Sequence, residues 1–217
     1  RAAAATGKPV ILSTGLGTLA DIETAIGWVR HEVGEENLRD RLILMHCVSA
    51  YPTPIEEANV LSVPYLAEQT GLRVGYSNHV IGLEACYAAI ALGACVIEVH
   101  FTDCKTGRDF RDHEISCDPD DLRALVDAAP RIRASLGQPG KECTASERVN
   151  LVAARKGVVA ARDLDAGTVL AGEDLMFARP GTEFLAAELP DLIGQKILRA
   201  TKYGEQIERD NIGGSND

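Results

Sequence analysis

Two histidines, His79 and His100, each close a short apolar run, and each stands two residues after another polar group, Ser77 and Glu98 respectively. Imidazole nitrogens suit Mn, Fe, Co, Ni and Zn. If the two runs are neighbouring strands, both rings come within reach of one divalent ion. Two protein nitrogens would leave positions open for water or substrate, as in a catalytic site rather than a closed structural one. A hydrogen-bonded scaffold role for each ring fits the spacing equally well. The other apolar runs end in the same manner, with Ser13 and Thr14 after the first and His46 and Ser49 after the second. His46, followed by Cys47 inside its run, reads as structural. His31, at a polar helix end, reads as surface, and His113, in a polar loop behind Asp112, fits either role. Ser13-Thr-Gly-Leu-Gly-Thr18 is a Ser/Gly turn leading into a helix, where backbone N–H groups can hold a phosphate, although such turns are common. Lys8 and Arg179 are possible anion partners, with solvated surface as the plain alternative. G-x-G-x-x-G, G-x-x-x-x-G-K-[ST] and G-x-S-x-G are all absent from the sequence.

Four runs rich in β-branched residues must position these groups: Pro9–Gly15, Arg41–Ser49, Leu72–His79 and Ala94–Phe101. Continuous apolarity, rather than alternation, predicts strands covered on both faces, as in a parallel sheet. Helical patterns lie between them. Thr18 is placed to cap Ala20 to Glu32, and Pro54 to Thr70 carries apolar residues at helical spacing but is interrupted by Pro64. Leu83 to Leu92 is short and almost wholly apolar, and Asp118-Pro-Asp-Asp opens a helix to about Ser135. The β/α alternation predicts an open doubly wound sheet or a (β/α)8 barrel, whose strand ends converge on one face where ligands bind. Four units make half a barrel. Gly137-Gln-Pro-Gly140 breaks the pattern, and from about Arg155 short strands and turns signal a separate β-rich module. The organisation predicted is 1–137, a linker at 138–154, the β module at 155–213 and a disordered tail at 214–217.

Composition narrows the function classes. The 217 residues are 46% hydrophobic and 25% charged, with a formal net charge of −10. That suits a globular chain and offers no basic stripe for nucleic acid or anionic membranes. No apolar run approaches the ~20 residues needed to span a bilayer. The first residues, Arg1-Ala-Ala-Ala-Ala-Thr-Gly7, carry no apolar signal core, so a cytoplasmic protein is expected. The six scattered cysteines, without C-x-x-C spacing, predict reduced and mostly buried thiols.

At the strand-end residues the sequence resembles the N-acetylneuraminate (sialic acid) synthase family, which includes pseudaminic and legionaminic acid synthases and related spore-coat proteins. The matching stretches occur in order: Lys8-Pro-Val-Ile-Leu-Ser-Thr-Gly15, His46-Cys-Val-Ser-Ala-Tyr-Pro-Thr-Pro54, Val74-Gly-Tyr-Ser-Asn-His79, Ala91–Thr102, Asp112-His113 and Arg179-Pro-Gly-Thr182. The resemblance implies a (β/α)8 TIM barrel, of which this chain holds about the last four units, followed by a small antifreeze-like (SAF) domain. It implies condensation of phosphoenolpyruvate (PEP) with an N-acetylhexosamine, typically N-acetylmannosamine, assisted by Mn²⁺, with Mg²⁺ or Co²⁺ as alternatives. It also implies a domain-swapped homodimer in which each antifreeze-like domain covers the partner's barrel.

Carried over by position, His79 and His100 match metal ligands. Ser13, Ser49, Tyr51 and Ser77 match positions around PEP, Asp112 matches a sugar contact, and Arg179 matches an arginine that reaches the N-acetyl group across the dimer. Glu98 matches an acid that orients a metal-bound water. The chain departs from the family at Asn78, where an aspartate is usual beside the metal, at Val99, where a basic residue is common, and at Ser49, an amide in some members. The Thr102–Asp112 loop lacks the common Pro-Gly-Pro pattern. The family's first four strands, with further lysine and glutamate contacts, have no counterpart here. Upstream residues are therefore expected to have been cleaved, disordered or excluded, and the 217 residues, if they are the whole molecule, to lack synthase activity. A truncated sugar-binding or assembly module and an unrelated open-sheet aldolase-like enzyme are the competing expectations.

Overall fold

The computed structural model describes residues 1–214 and divides the chain into two compact units, Arg1–Gln138 and Pro139–Asp217. Residues 215–217, most of the expected tail, lie outside the described residues.

The first unit alternates strands and helices. A short helix α1 (Ala2–Ala5) precedes β1 (Val10–Ser13). Then come α2 (Leu19–Val33), α3 (Glu35–Arg41), β2 (Leu42–His46), α4 (Ser62–Thr70), β3 (Arg73–Asn78), α5 (Glu84–Ala91), β4 (Ile97–Val99), α6 (Asp112–Ile115) and α7 (Pro119–Leu136). Thr18 caps α2 in a reciprocal box with Asp21, and Asp118 caps α7 with Asp121, each side chain satisfying a backbone N–H that the first helical turn leaves free. Pro64 is no interruption, because α4 begins at Ser62 and a proline in the first turn gives up only an N–H that has no helical partner.

The four strands pair in the order β1-β2-β3-β4, all parallel. A doubly wound sheet reverses direction from its first strand; this one does not. Right-handed crossovers in a single direction place every connecting helix on the same face, so the sheet is half of a barrel wall. Val10, Leu12, Leu42, Leu44, Val74, Tyr76, Ile97 and Val99 face the helices and join Ile22, Ile26, Val63, Leu66, Cys86 and Ala89 in one core. The alternate residues face the other way, and there the edge strands lie open, while Met45 and Ser77 on the central strands stay buried. Ile11 is 55% exposed, and Glu98 is exposed too. Neither β1 nor β4 has a second strand partner among the described residues.

In the second unit, the segment expected as a linker carries two one-turn helices, α8 (Ala145–Arg148) and α9 (Leu151–Ala154), the first capped by Thr144 in a box with Glu147. Beyond them β5 (Gly157–Ala160) pairs antiparallel with β6 (Leu175–Ala178). After α10 (Leu189–Leu192), β7 (Lys196–Ile197) pairs with β8 (Ile212–Gly213). Val158, Leu164, Leu170, Leu192, Ile197 and Ile207 form its own core. Asp174, almost fully buried, holds the Arg162 guanidinium and the Ala171 N–H.

Candidate active site

Strand periodicity sorts the polar residues of the first unit. On β3, Tyr76 and Asn78 turn toward the helices, so Gly75, Ser77 and, just past the strand, His79 belong to the opposite face. Glu98 lies opposite Ser77 in the β3–β4 register, and His100 follows two residues later on the same side. Their rings meet, with His79 and His100 centroids 5.3 Å apart at 76°. Tyr51, from the loop after β2, completes the cluster, its ring 4.2 Å from His79 and 5.9 Å from His100.

Backbone contacts fix each member. His79 is 7% exposed, and its Nδ1 lies 2.6 Å from the Val48 carbonyl. With the carbonyl as acceptor, Nδ1 is the donor, which leaves Nε2 as the ring nitrogen available to a metal. The Thr53 N–H donates to the His79 carbonyl, tying the Tyr51 loop to the end of β3. Thr102 and Cys117 extend the β4 edge through paired backbone bonds with the 100–102 segment, and this returns α6 to the site. Asp112 Oδ2 consequently stands 3.7 Å from His100 Nδ1. The same carboxylate lies 3.7 Å from Arg111 Nε, and the Arg111 guanidinium sits 5.5 Å from the Tyr51 ring centre. Sequence reasoning missed Arg111, because its aromatic partner lies in a different strand-end loop.

The hydroxyls are spread along the same rim. Ser13 ends the edge strand β1 and is exposed; Ser49 is exposed beyond β2; Ser77 is 4% exposed. Gly15 lets the first two rims close up, since a Cβ there would come 3.0 Å from the Cys47 Sγ and even closer to the Ser49 Oγ. Burial pushes the Cys47 thiol up, aided by the Glu98 carboxylate and opposed by the Gly15 and Thr14 backbone N–H groups. Glu98 and Cys47 therefore share this face.

Asn78 is a correction. Its sequence position suggested a charge lost beside the metal, but its side chain is buried on the helix face. There it accepts from the Tyr76 hydroxyl at 3.1 Å and donates to the Val80 and Gly82 carbonyls. His46 also turns away from the rim, with Nε2 donating to the Ala58 carbonyl at 2.9 Å, and burial pulls its pKa down. His113 Nδ1 is 2.7 Å from the Thr102 hydroxyl. Arg179 belongs to the second unit, exposed just past β6.

No group of three or more His, Cys, Asp or Glu side chains is spaced for one ion among the described residues. The donor set is the two imidazoles, and the fixed His79 tautomer fits a borderline divalent cation that keeps open positions. No helix among the described residues is long and apolar enough to cross a membrane.

Comparison with known proteins adds identity to this geometry. The chain is 34% identical over 204 residues to the N,N'-diacetyllegionaminic acid synthase of Legionella pneumophila, covering 94% of this chain and 57% of that one. It is 31% identical over 205 residues to a pseudaminic acid synthase of Campylobacter jejuni, with 94% and 58% covered. The crystal structure of a sialic acid synthetase from Leptospira borgpetersenii superposes with a TM-score of 0.60 at 38% identity, over 69% of this chain and 50% of that one. A spore coat polysaccharide biosynthesis protein E from Chromobacterium violaceum gives 0.62 at 28% identity, with 98% and 62% covered. The chain thus spans about three fifths of the length of the curated relatives it matches. The SAF domain profile matches residues 155–212, the strands and turns of the second unit, and the NeuB profile matches residues 1–141, the whole half-barrel with its paired imidazoles. The chain belongs to the NeuB family and carries a SAF domain.

Proposed function

We propose that the first unit carries the reaction centre of a synthase that condenses PEP with an N-acetylhexosamine of the N-acetylmannosamine type. The product is a nonulosonate of the sialic acid class, and phosphate is released. One observation supports this reading most: the imidazoles of His79 and His100, 5.3 Å apart, with Nδ1 of His79 committed to a backbone carbonyl. These two side chains would hold the divalent ion, Mn²⁺ first with Mg²⁺ or Co²⁺ as alternatives, which when bound supplies Lewis-acid polarisation of the open-chain sugar aldehyde.

The remaining residues bind and orient. Hydroxyls of Ser13, Ser49 and Ser77 donate to the phosphate and carboxylate oxygens of PEP, and holding both reactants in register lowers the barrier by several kcal/mol. Tyr51 forms the wall between the two substrates, and the Asp112 carboxylate accepts from a sugar hydroxyl. The PEP methylene carbon forms a bond to the aldehyde carbon as the aldehyde C=O π bond breaks, leaving an alkoxide and a cationic phosphate-bearing carbon. Glu98 orients the water that adds to that carbon; one water proton goes to the alkoxide, and the other is lost as the added oxygen becomes the keto group and phosphate leaves by cleavage of its C–O bond. In this reading the working enzyme is a cytoplasmic homodimer with swapped SAF domains, its barrel wall closed to eight strands, and Arg179 binds the N-acetyl group. All of these follow from the family resemblance.

A non-catalytic sugar-binding or assembly module is the alternative. Titration calorimetry with Mn²⁺ separates the two. The wild-type chain should bind near 1:1, and His79→Ala should weaken binding by at least about 100-fold, because loss of even an outer contact to a ligand costs 10–100-fold. Equal heats from both proteins would sink the synthase reading.

A further inference from the structure

The loop between β4 and α6 carries three cations, Lys105, Arg108 and Arg111, in the stretch that departs from the Pro-Gly-Pro pattern of the resemblance. Two of them are committed. Lys105 pairs with Asp121 on α7, and Arg108 donates to both oxygens of Asp103 at 2.8 Å. Arg111 differs. Its side chain is 69% exposed, it makes no hydrogen bond to a described residue, and its nearest carboxylate, on Asp112, is 3.7 Å from Nε. It is nonetheless placed, since its guanidinium carbon lies 5.5 Å from the centre of the Tyr51 ring. The same ring packs 4.2 Å from His79 and 5.9 Å from His100.

A guanidinium resting on an aromatic ring keeps its N–H fork in a defined plane, matched to two oxygens of a phosphate or carboxylate. Around it the rim is anionic, with Asp112 and Glu98, and the other rim donors of the first unit are neutral hydroxyls. In the synthase reading the divalent ion supplies one positive centre; a trianionic substrate keeps further oxygens to satisfy, and Arg111 is the side-chain cation with free donors among the described residues of this loop.

We propose that Arg111 is a substrate-binding residue of this site, taking two oxygens of a phosphate or carboxylate group while docked on Tyr51. The inference rests on the synthase reading for the identity of the substrates, and the oxyanion has two possible sources: PEP itself or an anionic group on the acceptor sugar.

The test is equilibrium binding to the full chain in Mn²⁺, comparing wild type with Arg111→Gln and Arg111→Lys. The titrants are PEP, inorganic phosphate, N-acetylmannosamine and its 6-phosphate. Arg111→Gln should raise the Kd of the anionic ligand about tenfold or more, the usual scale for a lost charge-assisted bond. Affinities for Mn²⁺ and the neutral sugar should stay within about twofold, and Arg111→Lys should restore only part of the loss, because it keeps the charge without the fork. A loss confined to PEP assigns the donor as the source, and a loss confined to the sugar phosphate assigns the acceptor. Unchanged anion affinity in Arg111→Gln overturns the proposal, as does wild-type protein that binds none of the anions. The Mn²⁺ titration reports separately on the synthase reading, so the two can fail independently.

Discussion

The carboxamide of Asn78 uses all four of its hydrogen-bonding positions. Its oxygen receives the Tyr76 hydroxyl and the Val80 N–H, and its nitrogen donates to the Val80 and Gly82 carbonyls. The residue is 2% exposed and holds the turn that follows His79. An aspartate in its place keeps the acceptors but sets a carboxylate against two carbonyl oxygens. Asn78→Asp should therefore lower stability by about 2–3 kcal/mol, the scale of buried polar groups left facing like partners. Urea denaturation followed by circular dichroism checks this; an unchanged midpoint would show that the turn does not depend on the amide. The contrast with its neighbour explains what was legible residue by residue. His79 and His100 stood out because an imidazole at the end of an apolar run is a conspicuous break in pattern. Asn78 could be misjudged because proximity in sequence says nothing about which face of a strand a side chain takes. One residue of alternation separates the rim from the core, and only the helices behind the sheet decide which is which.

At the scale of elements, the caps were the most readable feature. Thr18 and Asp118 sit ahead of apolar helical periodicity, and the structure closes both boxes. The helix α3 has no pattern to find, because Glu35–Arg41 is polar at every position but one and buries only Leu38, which leaves no apolar period. In α7 the cap gains a partner from a distant loop. The Lys105 ammonium donates to Asp121 and holds that carboxyl below its ordinary value of 3.8, while the carboxylate raises Lys105 above 10.5. A depressed carboxyl contributes stability above the unfolded-state pKa and loses it as pH falls through the folded value. A raised ammonium contributes below its unfolded pKa and loses it as pH rises through the folded one. Both side chains remain about one-third exposed, so the pair contributes about 0.5–1 kcal/mol at neutral pH. Lys105→Met should lower neutral-pH stability by that amount, and the gap to wild type should close below pH 3.8 and above pH 10.5. Urea midpoints measured across pH check it, and a gap independent of pH would mean that packing of the lysine stem, not charge, is what was lost.

The molecule as a whole joins two separately cored units. The change of texture near residue 155, from long apolar runs to short strands and turns, was visible because a parallel sheet backed by helices and a small antiparallel module need different residue patterns. The number of strands in the wall was not a property that pattern could supply, since each β/α unit reads alike whether the sheet stays open or closes. Only the pairing order, sequential and without reversal, shows the wall to be of the barrel kind. Between the units, residues 133–142 are exposed throughout, and Leu136 is the last residue of α7. The Lys141 side chain is 90% exposed, with its only ion-pair partner among the described residues, Glu147, at 4.0 Å. A protease needs a stretch of backbone that can leave the surface without dismantling a core, and this one crosses neither hydrophobic cluster. Brief digestion with a lysine-specific protease should therefore cut first after Lys141. The expected products are fragments 1–141 and 142–217, identified by intact mass, both surviving longer than the parent chain. Earlier cleavage at Lys105 would instead show that the β4–α6 loop, and with it the docking of Arg111 on Tyr51, opens more readily than the junction between the units.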